Sequence, residues 1–123
     1  MSLNLPVFEM EEFMRVLVMF DVPVGTKDER KKATKFRNNL LKQGFFMMQF
    51  SVYMRIVRGL TAANSVIGRL KTILPPKGNI RSLIITEKQF DKMQLLLGED
   101  DEQMKKSKPK QLMLFDDDDF IEI

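Results

Sequence analysis

The sequence contains no cysteine and no histidine. Without cysteine there are no disulfides, no thiolate zinc site and no cysteine nucleophile, and the chain suits a reducing compartment, so the cytoplasm is the expected location. Without histidine the commonest general base and the imidazole metal ligands are lost together. Any catalysis then rests on carboxylates, lysines or a hard metal ion. Long hydrophobic runs are also lacking, since no segment approaches the roughly 20 apolar residues that cross a bilayer. The opening MSLNLPVFEMEEF carries acids where a secretory signal carries bases. A soluble protein with no membrane partner is expected.

A length of 123 residues fits one domain with a single core. The net charge of +3 conceals a segregation along the chain. Residues 15–98 hold 16 Lys and Arg against 5 Asp and Glu, a balance of +11, whereas residues 1–14 carry −3 and residues 99–123 carry −5. A compact domain with that excess of base attracts polyanions, because its cations replace the counterions condensed on phosphates. A basic surface that merely keeps the protein in solution is the alternative.

Met14 to Val22 reads as a strand buried on both faces, ended by Pro23-Val24-Gly25. One carboxylate, Asp21, follows directly on the apolar stretch Val16 to Phe20 within it. Such an acid commonly caps the following turn by accepting from amides near Gly25 or Thr26. Thr26-Lys27-Asp28-Glu29 forms a capping box, so a helix is expected over 27–43, with Ala33, Phe36 and Leu40 on its buried stripe and Gly44 at its end. Lys27, Lys31, Lys35 and Lys42 lie opposite that stripe, either as a solvated face or as a row that tracks phosphates.

GFFMMQFSVYMRIV at 44–57 alternates as a second strand. Phe46, Met48, Phe50, Val52, Met54 and Ile56 are assigned to the face under the helices. Phe45, Met47, Gln49, Ser51, Tyr53 and Arg55 are assigned to a mixed face suited to contact with another subunit, where Ser51 and Arg55 would make interfacial hydrogen bonds. A second helix is expected over 61–74, a third strand over 79–86 and a fourth over 92–97. This order departs from β-α-β-β-α-β unless residues 45–57 contain two pairing segments. Periodicity alone supports a small sandwich, with two helices on one face of a largely antiparallel sheet whose other face is too apolar for water. Residues 1–13 read as an N-terminal extension, 98–110 as a flexible linker, 111–115 as a short strand in need of a partner edge, and 116–123 as an acidic tail.

VLVMFDVP at 16–23, the basic helix opening TKDER, the strand GFFMMQFSVYMRIV, LPPKGNIRSLIITEKQF at 74–90 and QLMLF at 111–115 together resemble the small ferredoxin-like CRISPR-associated protein of spacer acquisition, in its type II-like form. The FSVY and PPKGNIR stretches are the most specific part of the match. The resemblance implies an α+β, ferredoxin-like domain over 14–97, homodimeric through its sheet faces, with residues 111–115 added to the partner's sheet. It implies a complex with the CRISPR-associated integrase that holds duplex DNA for insertion into the array. Some relatives are described as magnesium-dependent endonucleases of RNA or DNA. By match to the motif, Asp21 is the strand-end aspartate that joins its copy in the dimer to hold Mg2+ or Mn2+, and it is the candidate catalytic residue. Two converging carboxylates with waters suit an octahedral oxygen shell, which one carboxylate does not. Lys27, Arg30, Lys31, Lys35, Lys77 and Arg81 are the candidate contacts to the nucleic-acid backbone.

Overall fold

A computed structural model describes residues 13–108. The run Phe13–Asp21 forms β1, and Lys27–Lys42 forms helix α1 behind the Thr26 capping box. In that cap the Glu29 amide donates to Thr26 Oγ1 at 3.1 Å, and the Thr26 amide donates to Glu29 Oε1 at 3.0 Å. β2 is Phe46–Gln49, β3 is Val52–Arg58, α2 is Leu60–Leu70 and β4 is Asn79–Thr86. Two short helices follow, α3 at Glu87–Asp91 and α4 at Glu102–Lys106. The strands lie in the order β2-β3-β1-β4, and every neighbouring pair is antiparallel. Two β-α-β halves are thus interleaved in the ferredoxin-like α+β arrangement, with β1 and β3 central. No helix among the described residues is long and apolar enough to cross a membrane.

Several expectations need correction. Residues 45–57 form two strands, because the chain turns at Phe50-Ser51 with Ser51 in the left-handed region at φ 64°. A turn without glycine or asparagine leaves little mark on the alternation. Helix α2 stops at Leu70, and residues up to Ile73 continue as tight i to i−3 turns before Pro75. No strand forms over 92–97. Thr86 instead caps α3 through a reciprocal pair with Gln89, at 3.1 and 2.8 Å, and residues 93–97 follow without regular structure. The stretch read as a flexible linker contains α4, capped by Asp101, which accepts from the Met104 amide at 3.0 Å. Residues 1–12 and 109–123 fall outside the described residues, and with them the expected strand at 111–115 and the acidic tail.

The two faces of the sheet are covered by different layers. Val16, Val18, Tyr53 and Val57 pack with Phe36 and Leu40 of α1 and with Ala63, Val66 and Leu70 of α2. On the other face Leu17 and Met54 pack with Phe90 of α3 and Met104 of α4, flanked by Phe46, Met48 and Ile85. The face assignment for β2 and β3 is therefore reversed: Phe46, Met48 and Met54 face α3 and α4, while Tyr53 lies under the long helices. Both faces are apolar, so alternation separates them without saying which layer covers which. Arg55 is also on the helix side, where Nη1 donates to the Gln43 carbonyl at 2.7 Å and closes the end of α1. That donor is used within the chain.

Arg15, in the middle of the α3/α4 face, is completely buried. Its Nε donates to Glu87 Oε2 at 2.6 Å and its Nη2 to Glu87 Oε1 at 3.0 Å. Nη2 also donates to the Ser107 carbonyl at 2.9 Å, while Nη1 donates to Ser107 Oγ at 3.1 Å and to Met54 Sδ at 3.2 Å. The guanidinium lies 3.6 Å from the centre of the Phe90 ring. All five donors of the guanidinium find an acceptor, which offsets the cost of removing the charge from water.

Two measurements check this packing. Replacing Arg15 with leucine strands the Glu87 carboxylate and the Ser107 carbonyl, and chemical denaturation should show a loss of about 3 kcal/mol, with faster amide exchange in α4. An unchanged midpoint and unchanged exchange would show that α4 is held by other contacts. Burial raises the Tyr53 hydroxyl above its ordinary value of 10.0, and Arg37 partly opposes this. The folded state thus holds that proton more tightly than the unfolded chain does. The stability it contributes is present below pH 10.0 and is lost as pH rises through the folded value. Tyr53→Phe should flatten this alkaline decline in a pH series of thermal melts.

Candidate metal and nucleic-acid site

Asp21 ends β1, opposite Asn79 at the start of β4. Directly opposed residues share a face and successive residues alternate, so Asp21, Met19, Asn79 and Arg81 point to the side of the sheet that carries Arg15. α3 and α4 cover that side only around Arg15, Leu17 and Met54. Toward the Asp21 end the cover stops: Asp21, Asn79 and Arg81 are exposed, Leu83 is 50% exposed, and Met19 and Val52 are half-buried.

The backbone around Asp21 is fixed from two sides. The Phe20 amide donates to the Ser51 carbonyl at 3.0 Å, which ties the β2–β3 turn to the end of β1. Gly78 approaches from the β4 side at φ +119°, and a Cβ there would lie 2.6 Å from the Asp21 carbonyl oxygen and 2.9 Å from Val22 Cγ1. The PKG turn therefore needs glycine for both conformation and space. The Asp21 carboxylate makes no hydrogen bond or ion pair among the described residues. The turn-capping alternative is not realised, because Glu29 already occupies the Thr26 amide.

As a metal ligand Asp21 supplies a hard oxygen donor of the type magnesium prefers. No group of three or more acids within reach of one ion occurs among the described residues. A single chain therefore fits Mg2+ or Mn2+ poorly, and the donor set becomes adequate only when another carboxylate joins it.

The six candidate bases do not form one patch. Lys27, Arg30, Lys31 and Lys35 are exposed on α1, which covers the opposite side of the sheet from Asp21. Arg30 Nη1 donates to the Val24 carbonyl at 3.2 Å, so it also braces the loop leading into α1. Lys77 is exposed in the loop before β4, beside a cavity of about 280 Å3 lined by Val22, Pro23, Thr26 and Lys32. Arg81 alone of the six is on the Asp21 face. Sequence reading missed Arg15, since one charged residue in an apolar strand carries no sign of whether it is paired or exposed.

Residues 14–93 match the family model described as CRISPR associated protein Cas2. The chain belongs to the Cas2 family. It is 68% identical over 88 residues to a Campylobacter jejuni protein named CRISPR-associated endoribonuclease Cas2, covering 72% of this chain and 62% of that relative. A Ligilactobacillus salivarius protein of the same name is 42% identical over 101 residues, covering 82% of this chain and 100% of the relative. A solved structure described as "Crystal structure of cas2" aligns with a TM-score of 0.49 at 25% identity, over 74% of this chain and 93% of that one. Membership places the chain among CRISPR-associated proteins, and these two relatives carry the name endoribonuclease. The family match begins at Met14 and includes β1 with Asp21, the capped helix α1, the β2–β3 pair and the PKG turn.

Two glycine substitutions test the packing behind Asp21. Gly78→Ala should lower stability by about 2–3 kcal/mol, since it adds a clash with backbone to an unfavourable φ. Gly68, which has open space around it in α2, should tolerate the same change and gain up to about 1 kcal/mol. Equal behaviour of the two variants in urea denaturation would remove the claim that the PKG turn is sterically locked to β1.

Proposed function

We propose that this chain acts in CRISPR adaptation as a symmetric homodimer, joined through its sheet faces, that bridges subunits of the CRISPR-associated integrase and holds duplex DNA by its phosphates. The observation that carries this reading is the half-open face at the end of β1. There Met19, Val52 and Leu83 present apolar surface around Asp21 on a sheet whose other side is fully layered by α1 and α2. Joining two copies through the open face buries that surface and leaves both α1 helices on the outside. Lys27, Lys31 and Lys35 of each copy then face outward, at the two flanks of one assembly. Such contacts grip a backbone without reading bases, and each adds to the salt dependence of binding.

The same dimer brings two Asp21 carboxylates toward one axis, where they supply the second donor that one chain lacks. Mg2+ or Mn2+ held there would neutralise the pair and, when bound, act as a Lewis acid toward a phosphate oxygen. A second reading, a metal-dependent endonuclease of RNA or DNA centred on Asp21, is favoured by the name endoribonuclease carried by the relatives. With no histidine in the chain, its own contribution to such a reaction is confined to the carboxylates and the bases around them.

One set of measurements separates the two readings. Duplex affinity of the wild type should fall steeply between low and moderate salt, and the double change Lys31→Ala with Lys35→Ala should lower the slope of log K against log salt by roughly 2. An unchanged slope would sink the duplex-holding reading. Asp21→Asn should leave duplex affinity within about twofold; if it also abolishes a magnesium-stimulated cleavage seen with wild type, the nuclease reading stands beside the scaffold. Co-elution with the integrase on duplex DNA tests the bridging role.

A further inference from the structure

Two Asp21 carboxylates cannot approach each other without a counter-charge, and the sheet face itself contains one. We propose that Arg81 of one copy neutralises Asp21 of the other, so that the dimer interface is closed by two symmetry-related Asp21–Arg81 pairs and needs no divalent cation to form. The inference rests on the face-to-face dimer proposed above.

The candidates for this role narrow by position. Three arginines lie on the Asp21 side of the sheet: Arg15, an even number of residues from Asp21 along β1, Arg58, opposite Phe13 on β3, and Arg81, opposite Met19 on β4. Arg15 is buried and committed to Glu87. Arg58 pairs with Phe13 at the far end of β1, with its guanidinium 5.3 Å from that ring. Arg81 is exposed, two residues along β4 from the partner of Asp21, and forms no ion pair among the described residues. Asp21 likewise forms none, although the two residues are diagonal neighbours in the same sheet. Among the described residues nothing occupies either charge, which leaves both to a second molecule.

A two-fold interface is self-complementary, so a contact from residue i to residue j is made twice. A surface that carries one acid and one base side by side satisfies that rule without any other group. Met19, Val52 and Leu83 around the pair would exclude water, and exclusion strengthens a charge contact across an interface. Arg81 is then a positioning residue for the Asp21 pair rather than part of the duplex-gripping set on α1.

The test uses the full chain in two variants, Asp21→Arg and Arg81→Asp, with circular dichroism to confirm folding. In light scattering in the presence of EDTA, wild type should be dimeric, and each variant should dimerise roughly tenfold or more weakly, because each surface now meets itself with like charges. An equimolar mixture of the two should form a heterodimer, read by native mass spectrometry, since each acid then meets a base in trans. Pairing within one chain would give no such rescue. If wild type is dimeric but both variants dimerise equally well, or if their mixture gives no heterodimer, the Asp21–Arg81 pairing is wrong while the dimer stands. A monomeric wild type overturns the dimer reading and this inference together. Should a charge reversal fail to fold, Asp21→Asn and Arg81→Gln replace it, with a severalfold weaker dimer expected from each and unchanged dimerisation refuting the pairing.

Discussion

The buried guanidinium of Arg15 decides what the rest of the sheet can do. It ties three parts of the chain that are far apart in sequence: the central strand β1, the start of α3 through Glu87, and the end of α4 through Ser107. A lysine in its place could not reproduce this, because the contact to Glu87 is bidentate and the remaining donors are used at fixed angles by Ser107 and Met54. The buried charge contributes little net stability as a pair, but it specifies where the C-terminal segment lies. Apolar contacts of Phe90 and Met104 alone would permit several positions on a face made largely of methionine and leucine.

Fixing that segment over one end of the face divides the sheet into a closed half and an open half. The closed half gathers Leu17, Met54, Phe90 and Met104 into a second small core. The open half is where β1 ends, and it carries Asp21 and Arg81 in the company of partly exposed apolar residues. Charge is distributed over the same architecture. The lysines of α1 are on the layer that backs the opposite face, so the proposed phosphate contacts and the proposed dimer contact would not compete for the same side of the sheet.

Much of this was legible in the residues, and the exceptions have physical causes. β1 and α1 were readable because a proline-glycine stop and a capping box mark their boundaries, and β4 because Pro75-Pro76-Lys77-Gly78 marks its start. The β2–β3 turn was hidden, since Phe50-Ser51 continues the alternation and only the left-handed backbone of Ser51 betrays it. The stretch 92–97 looks like a strand by composition, yet Leu96 and Leu97 are 88% and 93% exposed. The Thr86–Gln89 capping box had already committed the chain to a helical turn before that leucine run. The face assignment of β2 and β3 failed because both faces are apolar. The strand β1 shows the limit most clearly: Arg15 and Asp21 both interrupt an apolar run, and nothing local says that one is sealed inside and the other is left in water.

That contrast bears on which activity the fold favours. Each chain offers one exposed acid at the end of β1, and the proposed dimer would bring a pair of them toward its axis. A substrate strand undergoing cleavage has a direction, so its attacking and leaving oxygens make different demands, and a site built from two identical halves must meet both with the same groups. A DNA duplex, by contrast, has its own local two-fold axes, and its two backbones present the same charges to both halves of a symmetric protein. The outward α1 bases of the proposed dimer meet that requirement with no departure from symmetry. Holding a duplex therefore uses the symmetry of the assembly directly, whereas cutting a strand would require the symmetry to be broken by the substrate itself.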